Sequence, residues 1–371
     1  MSLSTENASG AARAANDRIA ELTRGVIQRA GINRGSGRMI ILVILAFAIF
    51  AVLSPRVFPS AINLQNIALT APEIGIIAIA MMLAMMTGGI DLSLVSSANL
   101  AAITVATIHI AIATNDPAAA DSAPVLIMLV FLGPLVGALC GLLNGFLVSV
   151  VGITPILATL GTMQLLNGIA VVWTGGSTLY GAPAGLVTFG LAAIGPVPAL
   201  FIVFIVVAVA IALLVNTTPL GKKIQLEGAN PVAARYSGIA SRKVLMSTYV
   251  IGGTLAGIAG VLFLARNPTA SADYGSSYVL LVIVIAVLGG TNPSGGFASV
   301  AGVVLATLTL QIVSSGFTGL RLSPYQYSIA QGVILITVMI IDAISWRRPR
   351  QRTPRPTAGT PDLPAQKSEQ Q

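Results

Sequence analysis

Long apolar runs, separated by short polar clusters, make up most of the chain. A helix that crosses a bilayer needs about 20 consecutive apolar residues. Ten such stretches can be marked, at about 37–54, 64–87, 92–113, 124–150, 153–174, 197–215, 244–265, 277–290, 297–314 and 325–345. The eighth is short. It is either a half-helix or a segment that continues past the glycine pair at its end. The pattern predicts an all-α polytopic membrane protein with about ten transmembrane helices, some of them broken or half-length, filling residues 37–345.

Composition agrees with this. Of 371 residues, 55% are hydrophobic and only 9% charged, and the mean hydropathy is +0.89. Soluble domains carry about 25% charged residues. The net charge of +8 is not spread over a soluble face. Six Lys and Arg lie in residues 1–38, five in 217–243 and six in 346–371; only Arg56, Arg266 and Arg321 lie elsewhere. Basic residues collect on the cytoplasmic side of membrane proteins. Ten spans with both termini cytoplasmic put all three basic blocks inside, so the even count and the orientation support each other. Residues 1–36 form a basic cytoplasmic segment, too long for the n-region of a signal peptide, and the run after it is a retained first span. Ile19, Leu22, Val26 and Ile27 have helical spacing there, suited to a short helix on the membrane surface. The Pro- and charge-rich tail 346–371 is expected to be disordered and close to anionic lipid.

Several chemistries are excluded. The single cysteine, Cys140, allows neither an intrachain disulfide nor a Cys-based metal site. No G-x-x-x-x-G-K-[ST] occurs, so the chain has no P-loop of its own. No H-E-x-x-H occurs, and the one histidine, His109, reads as a helix-end residue. No set of acid, base and nucleophile supports an intramembrane enzyme. Only Glu73, Asp91 and Asp342 are acids within or beside spans. Ion-coupled carriers usually place carboxylates there, so their scarcity argues that the driving energy comes from elsewhere.

What polar chemistry remains is concentrated in a few places. After the second span, TGGIDLS puts Gly88 and Gly89 before Asp91 and Ser93. The glycines suit the end of one helix, and Asp91 suits the N-cap of the next; contact with a passing solute or an ion site are the other readings. The fourth span repeats glycine at 133, 137, 141 and 145, which suits close helix packing in a tightly packed central helix. Asn144 beside that face either bonds a neighbouring helix or touches solute. In the fifth span Thr159, Thr162, Asn167 and Thr174 fall within roughly 140° of one face, bordered by Gln164. Such a face suits either a path for a neutral polyhydroxylated solute or interhelical bonds. Gly289 and Gly290 end the eighth span, where unwound backbone is tolerated only if it lines a cavity or is buried in protein. The loop 217–243 is the one long internal cytoplasmic loop and the natural surface for a cytoplasmic partner. Asn230 as N-cap with Pro231 at the first position predicts a short helix over VAARY, stopped at Ser237-Gly238 by an αL cap.

Three segments, TGGIDLSLVSS at 87–97, LEGANPVAARYSGI at 226–239 and IAVLGGTNPSGG at 285–296, resemble in order and spacing the ribose-type permeases of ATP-binding cassette importers. The resemblance covers about residues 37–345. It implies a bacterial inner-membrane permease subunit for a sugar or sugar-like solute, with no catalytic site, cofactor or metal of its own. ATP would be bound by partner ATPase subunits. An extracytoplasmic binding protein would deliver the solute, and a second permease copy or paralogue would complete the path; no nucleic acid is involved. It also implies that Glu227, Asn230, Pro231, Ala234, Arg235 and Gly238 belong to the segment that couples to the ATPase. Gly88, Gly89, Asp91, Ser93, Asn144, Thr159, Thr162, Asn167, Gly289 and Gly290 are the candidates for the translocation path or its gate. One departure stands out: many relatives carry an acidic pair before the late glycine motif, but here Tyr278 is followed by Val279, Leu280 and Leu281. An ion-coupled carrier and a permease for a non-sugar solute, such as a branched-chain amino acid, are the alternatives.

Overall fold

The computed structural model describes residues 34–323, 325–333 and 336. The expected surface helix at 19–27, the tail 346–371, most of the tenth span and Asp342 lie outside the described residues.

The chain runs through α1 (Arg34–Leu53), α2 (Ala61–Met86), α3 (Leu94–Asn115), the single turn α4 (Pro117–Ala120) and α5 (Ala123–Phe146), which continues as a π-helical turn to Val151. Then come α6 (Pro155–Thr174), a short connecting helix α7 (Ala184–Leu191), α8 (Ala199–Thr217), α9 (Pro219–Ala229), α10 (Pro231–Tyr236), α11 (Ser241–Arg266), α12 (Tyr278–Leu288) and α13 (Val300–Gly319). Two-residue strands tie the connections together. β1 (Leu179–Tyr180) pairs antiparallel with β4 (Thr269–Ala270), and β2 (Ala193–Ile194) with β3 (Val197–Pro198).

Among the described residues seven helices are long and apolar enough to cross a membrane: α2, α3, α5 with its π turn, α6, α8, α11 and α13. Two of the ten expected spans are shorter apolar helices, Met39–Leu53 within α1 and Tyr278–Leu288. A tenth is helical over 325–333 as far as it is described. The short eighth span is therefore a half-length helix. Its 11 residues rise about 16 Å, half the thickness of a hydrocarbon core.

Local chemistry explains the helix ends. Ser60 caps α2 by accepting the Asn63 N–H, Ser299 caps α13 through Gly302, and Thr218 caps α9 through Gly221. Prolines stand in the first turn of α5, α6, α9 and α10, where no intrahelical N–H is lost.

The core is built around α2 and α11, which are buried along most of their lengths. The expectation that the fourth span is central needs correcting. α5 is packed tightly on one face only. A Cβ added at Gly137 would collide with the Gly253 carbonyl oxygen of α11, one at Gly253 with the Gly137 carbonyl oxygen, and one at Gly141 with the Tyr249 carbonyl oxygen. Phe131, Leu135, Leu139 and Leu142 on the other face of α5 are exposed. The glycine repeat thus marks a close backbone contact, and leucines on the opposite side suit lipid.

Candidate functional site: a buried polar network and a three-motif junction

The turn between α2 and α3 carries the first group of candidates. α2 ends at Met86, and Gly88 takes φ +80, a left-handed conformation that glycine adopts without strain. Gly89 lies so close to the Tyr249 hydroxyl and to Pro155 that a Cβ there would sit 2.9 Å from that oxygen. Asp91 does not cap α3 itself. One carboxylate oxygen accepts the Ser93 N–H at 3.0 Å and the Ser93 hydroxyl at 2.7 Å, while α3 begins at Leu94 with Ser93 in the cap position. Asp91 therefore holds the turn that leads into the helix.

Asn144 of α5 joins this turn. Its amide donates to the Ser93 hydroxyl at 2.6 Å and reaches Asp91 at 3.5 Å. Its carbonyl oxygen accepts from the Thr162 hydroxyl of α6 at 2.6 Å. The Thr159 hydroxyl accepts the Leu92 N–H at 3.1 Å and lies 3.0 Å from the Ile90 carbonyl. Asp91, Ser93, Asn144, Thr159 and Thr162 are all buried. Asp91, Ser93, Asn144 and Thr162, from three segments of sequence, thus form one side-chain network, and Thr159 joins it through the backbone of the turn at Ile90 and Leu92. Of the two readings open for Asn144 and for the polar face of α6, this geometry matches the interhelical one. Asn167 stands apart, half-buried, with no partner for its side-chain oxygen. Thr174 bonds back to the Ala170 carbonyl of its own helix at 2.9 Å.

The three segments that carried the resemblance meet at one place. The Gly296 N–H donates to the Met86 carbonyl at 2.9 Å. Gly228 fits beneath both: a Cβ there would overlap the Met86 carbonyl oxygen and crowd the Gly296 nitrogen. Gly295 packs on the Gly228 backbone, Gly296 on Ala229, and Gly88 faces the Ser294 carbonyl. The sequence separation hides this junction, because 128 residues lie between the first and second segments and 45 between the second and third. Gly289 is used differently. It packs against Gly302 and Val303 and lets α12 approach α13, while Gly290, at φ +88, turns the chain.

From this junction residues 219–236 project as two short helices. α9 was not expected, since the stretch LGKKIQLEGA reads as a charged loop. α10 has the predicted bounds: the Asn230 side chain accepts the Ala233 N–H at 3.0 Å, Pro231 is in the first turn and Gly238 sits at φ +78. Asn230, Pro231, Arg235 and Gly238 are exposed, whereas Ala234 is buried. Glu227 departs from a docking surface. It is buried, and it accepts the Ser241 hydroxyl at 2.8 Å, joining α9 to the start of α11. Sequence reasoning missed Val232 and Tyr236, the second of which is 91% exposed; beside Arg235 they complete an outward face of apolar and cationic groups.

A second polar cluster was not foreseen. Glu73, the thirteenth residue of α2, pairs with Arg266 at the end of α11 at 2.6 Å. The Tyr274 hydroxyl donates to the other Glu73 oxygen at 3.2 Å, and receives the Arg266 guanidinium at 3.1 Å and the Asn267 amide at 3.2 Å. Asn99 of α3 donates to the carbonyls of Ala272 and Tyr274, both at 2.8 Å.

Apolar helices of bilayer length, a half-length helix among them, a glycine-lined junction and an exposed helix pair beside it suit a transmembrane permease component. The family described as branched-chain amino acid transport system / permease component matches residues 63–341, and the chain belongs to it. It is a multi-pass transport subunit of the bacterial inner membrane, not an enzyme. It is similar to the galactose/methyl galactoside import permease protein MglC of Escherichia coli (strain K12), with 32% identity over 325 residues, 85% of this chain and 96% of that protein. It is similar to the D-allose transport system permease protein AlsC of the same strain, with 30% identity over 308 residues, 83% of this chain and 91% of that one. The autoinducer 2 import system permease protein LsrD of Salmonella paratyphi A (strain ATCC 9150 / SARB42) is 29% identical over 316 residues, again 83% of this chain and 91% of the relative. No solved structure matches the chain.

Proposed function

We propose that this permease subunit moves a sugar or sugar-like solute inward, with the energy supplied by a separate ATPase and the solute delivered by an extracytoplasmic binding protein. The relatives whose names specify a sugar or a small signalling solute support the solute class. The observation that carries the coupling reading is the junction of Met86, Gly228 and Gly296, with α10 exposed next to it. A force applied to α10 reaches the end of α2 and the connection between α12 and α13 through close backbone contacts.

On this reading both termini and the α9–α10 pair are cytoplasmic, and Asn230, Pro231, Val232, Arg235 and Tyr236 form the ATPase-facing surface. The chain needs no cofactor of its own. A second permease, either a copy or a paralogue, covers the exposed face of α6, where Gln164, Gly168 and Trp173 line an open groove. The buried network around Asp91 fixes the inner turn of the path, and Asn167 is the polar group of α6 left to face the solute.

The test is reconstitution. The complex that co-purifies with this chain is expected to contain an ATPase, and uptake into proteoliposomes should require ATP and the binding protein. Uptake by this chain alone, driven by an ion gradient, would overturn the proposal. The family description names branched-chain amino acids, so a ligand screen on the binding protein should include them beside pentoses, hexoses and polyols. Tight binding of an amino acid would replace the solute class and leave the coupling scheme in place.

A further inference from the structure

The chain between α11 and α12 does not run over the surface. Two measures set residues 271–277 below the helix ends, and a third contact fastens them there. α12 starts at Tyr278 and is only 11 residues long, so its first residue stands about 16 Å from the end at Leu288. Tyr274 bonds Glu73, at the midpoint of the 26-residue α2. Asn99, the sixth residue of α3, holds the carbonyls of Ala272 and Tyr274. Irregular backbone at such depth is tolerated only where it is buried in protein or lines a water-filled cavity. Asp273, Ser276 and Ser277 are exposed on the single chain, and their polarity suits a water-lined path between this permease and its partner rather than lipid.

The same segment is fastened on its inner side by the one buried ion pair among the described residues. An ion pair is a poor device for stability alone, since an apolar pair of similar volume often serves as well. It has one property that an apolar contact lacks: its attraction is strong in a dry interior and collapses when water enters. Tyr274 and Asn267 tie the segment to this pair, and β4 ties it through β1 to the chain that leaves α6.

We propose that residues 267–277 are a re-entrant gate of the solute path, facing the aqueous cavity opposite the α9–α10 end, and that Glu73, Arg266 and Tyr274 are the positioning residues that latch it. This rests on the importer reading for its direction. A hydrated polyhydroxylated solute entering the cavity brings water to the pair, weakens it and frees the segment. Motion at the Met86–Gly228–Gly296 junction acts on the same two helices, since α2 carries Glu73 and α12 continues from the gate.

The experiment uses the whole complex, and its labelling arm needs no knowledge of the solute. In a Cys140→Ala background, Ser276→Cys is probed from outside with a membrane-impermeant maleimide. It is expected to react about tenfold faster than Leu139→Cys on the lipid face. Glu73→Gln with Arg266→Gln, which leaves no unpaired charge, should further speed the reaction at Ser276→Cys about threefold and lower the solute moved per ATP hydrolysed. The charge exchange Glu73→Arg with Arg266→Glu should restore both in part. Rates are compared at equal yield of assembled complex. A Ser276→Cys that reacts no faster than Leu139→Cys would overturn the gate. A Gln pair that leaves both labelling and coupling unchanged would overturn the latch. Uptake that proves independent of ATP would refute the importer reading alone, because the labelling assay uses neither ATP nor solute.

Discussion

Among the described residues two carboxylates are buried between the membrane helices, and the chain deals with them in different ways. Glu73 has a cation, Arg266, and a phenol, Tyr274. Asp91 has only uncharged donors: the Ser93 amide and hydroxyl and, more distantly, Asn144. The first ties together segments nearly 200 residues apart in sequence and adjoins exposed backbone. The second closes a turn within three residues and is then covered by α5 and α6. A carboxylate with a cation partner is committed to that partner, because loss of either member strands a charge in a dry place. A carboxylate that only accepts hydrogen bonds can be replaced by any acceptor of its shape. The contrast predicts that charge is needed at Glu73 and dispensable at Asp91.

Substitutions can break this contrast in graded steps. Glu73→Leu should have the largest effect on stability, about 3 kcal/mol, at the lower end for breaking a buried pair because the Arg266 side chain is 19% exposed. It would be read from unfolding of the purified permease in detergent. Asp91→Leu should follow at about 2 kcal/mol, since the Ser93 N–H and hydroxyl then lose their acceptor in a buried site. Asp91→Asn should cost under about 1 kcal/mol, because its carbonyl oxygen can still hold the turn. Equal losses for Asp91→Asn and Asp91→Leu would show that the charge matters and would end the contrast. Thr162→Val should cost about 1 kcal/mol, the loss of one donor to Asn144. Arg235→Glu, on the exposed face of α10, should leave stability within about 0.5 kcal/mol while ATP hydrolysis is uncoupled from uptake. Normal transport by this variant would remove α10 from the coupling surface.

Much of this was legible in the sequence, for local reasons. Span positions follow from apolar runs that no soluble domain carries. The bounds of α10 follow from Asn230-Pro231 at one end and Gly238 at the other, each acting within one turn. Asp91, Ser93, Asn144, Thr159 and Thr162 could be picked out because polar groups are scarce in such spans. That they satisfy one another could not be read, since helix rotation and neighbour order are set by tertiary packing. The Glu73–Arg266 pair was missed for the same reason: neither residue lies in a motif, and their meeting depends on how α11 lies against α2. α9 was read as loop because lysines and glycines dilute its apolar positions, although Thr218-Pro219 is a sound helix start. The glycine period of α5 announced a close contact but said nothing about its outward leucines, so a peripheral helix passed for a central one.

The interlock of α5 with α11 bears on motion. Where glycine meets a carbonyl oxygen of the opposite backbone, and the reverse, at Gly137 and Gly253, no rotamer change can ease a relative slide. The two helices then travel as one rigid body through the transport cycle, and the displacements fall on segments that lack such contacts. Spin labels placed on α5 and α11 would hold their separation from the resting to the ATP-bound complex, and so provide a fixed frame for measuring every other movement.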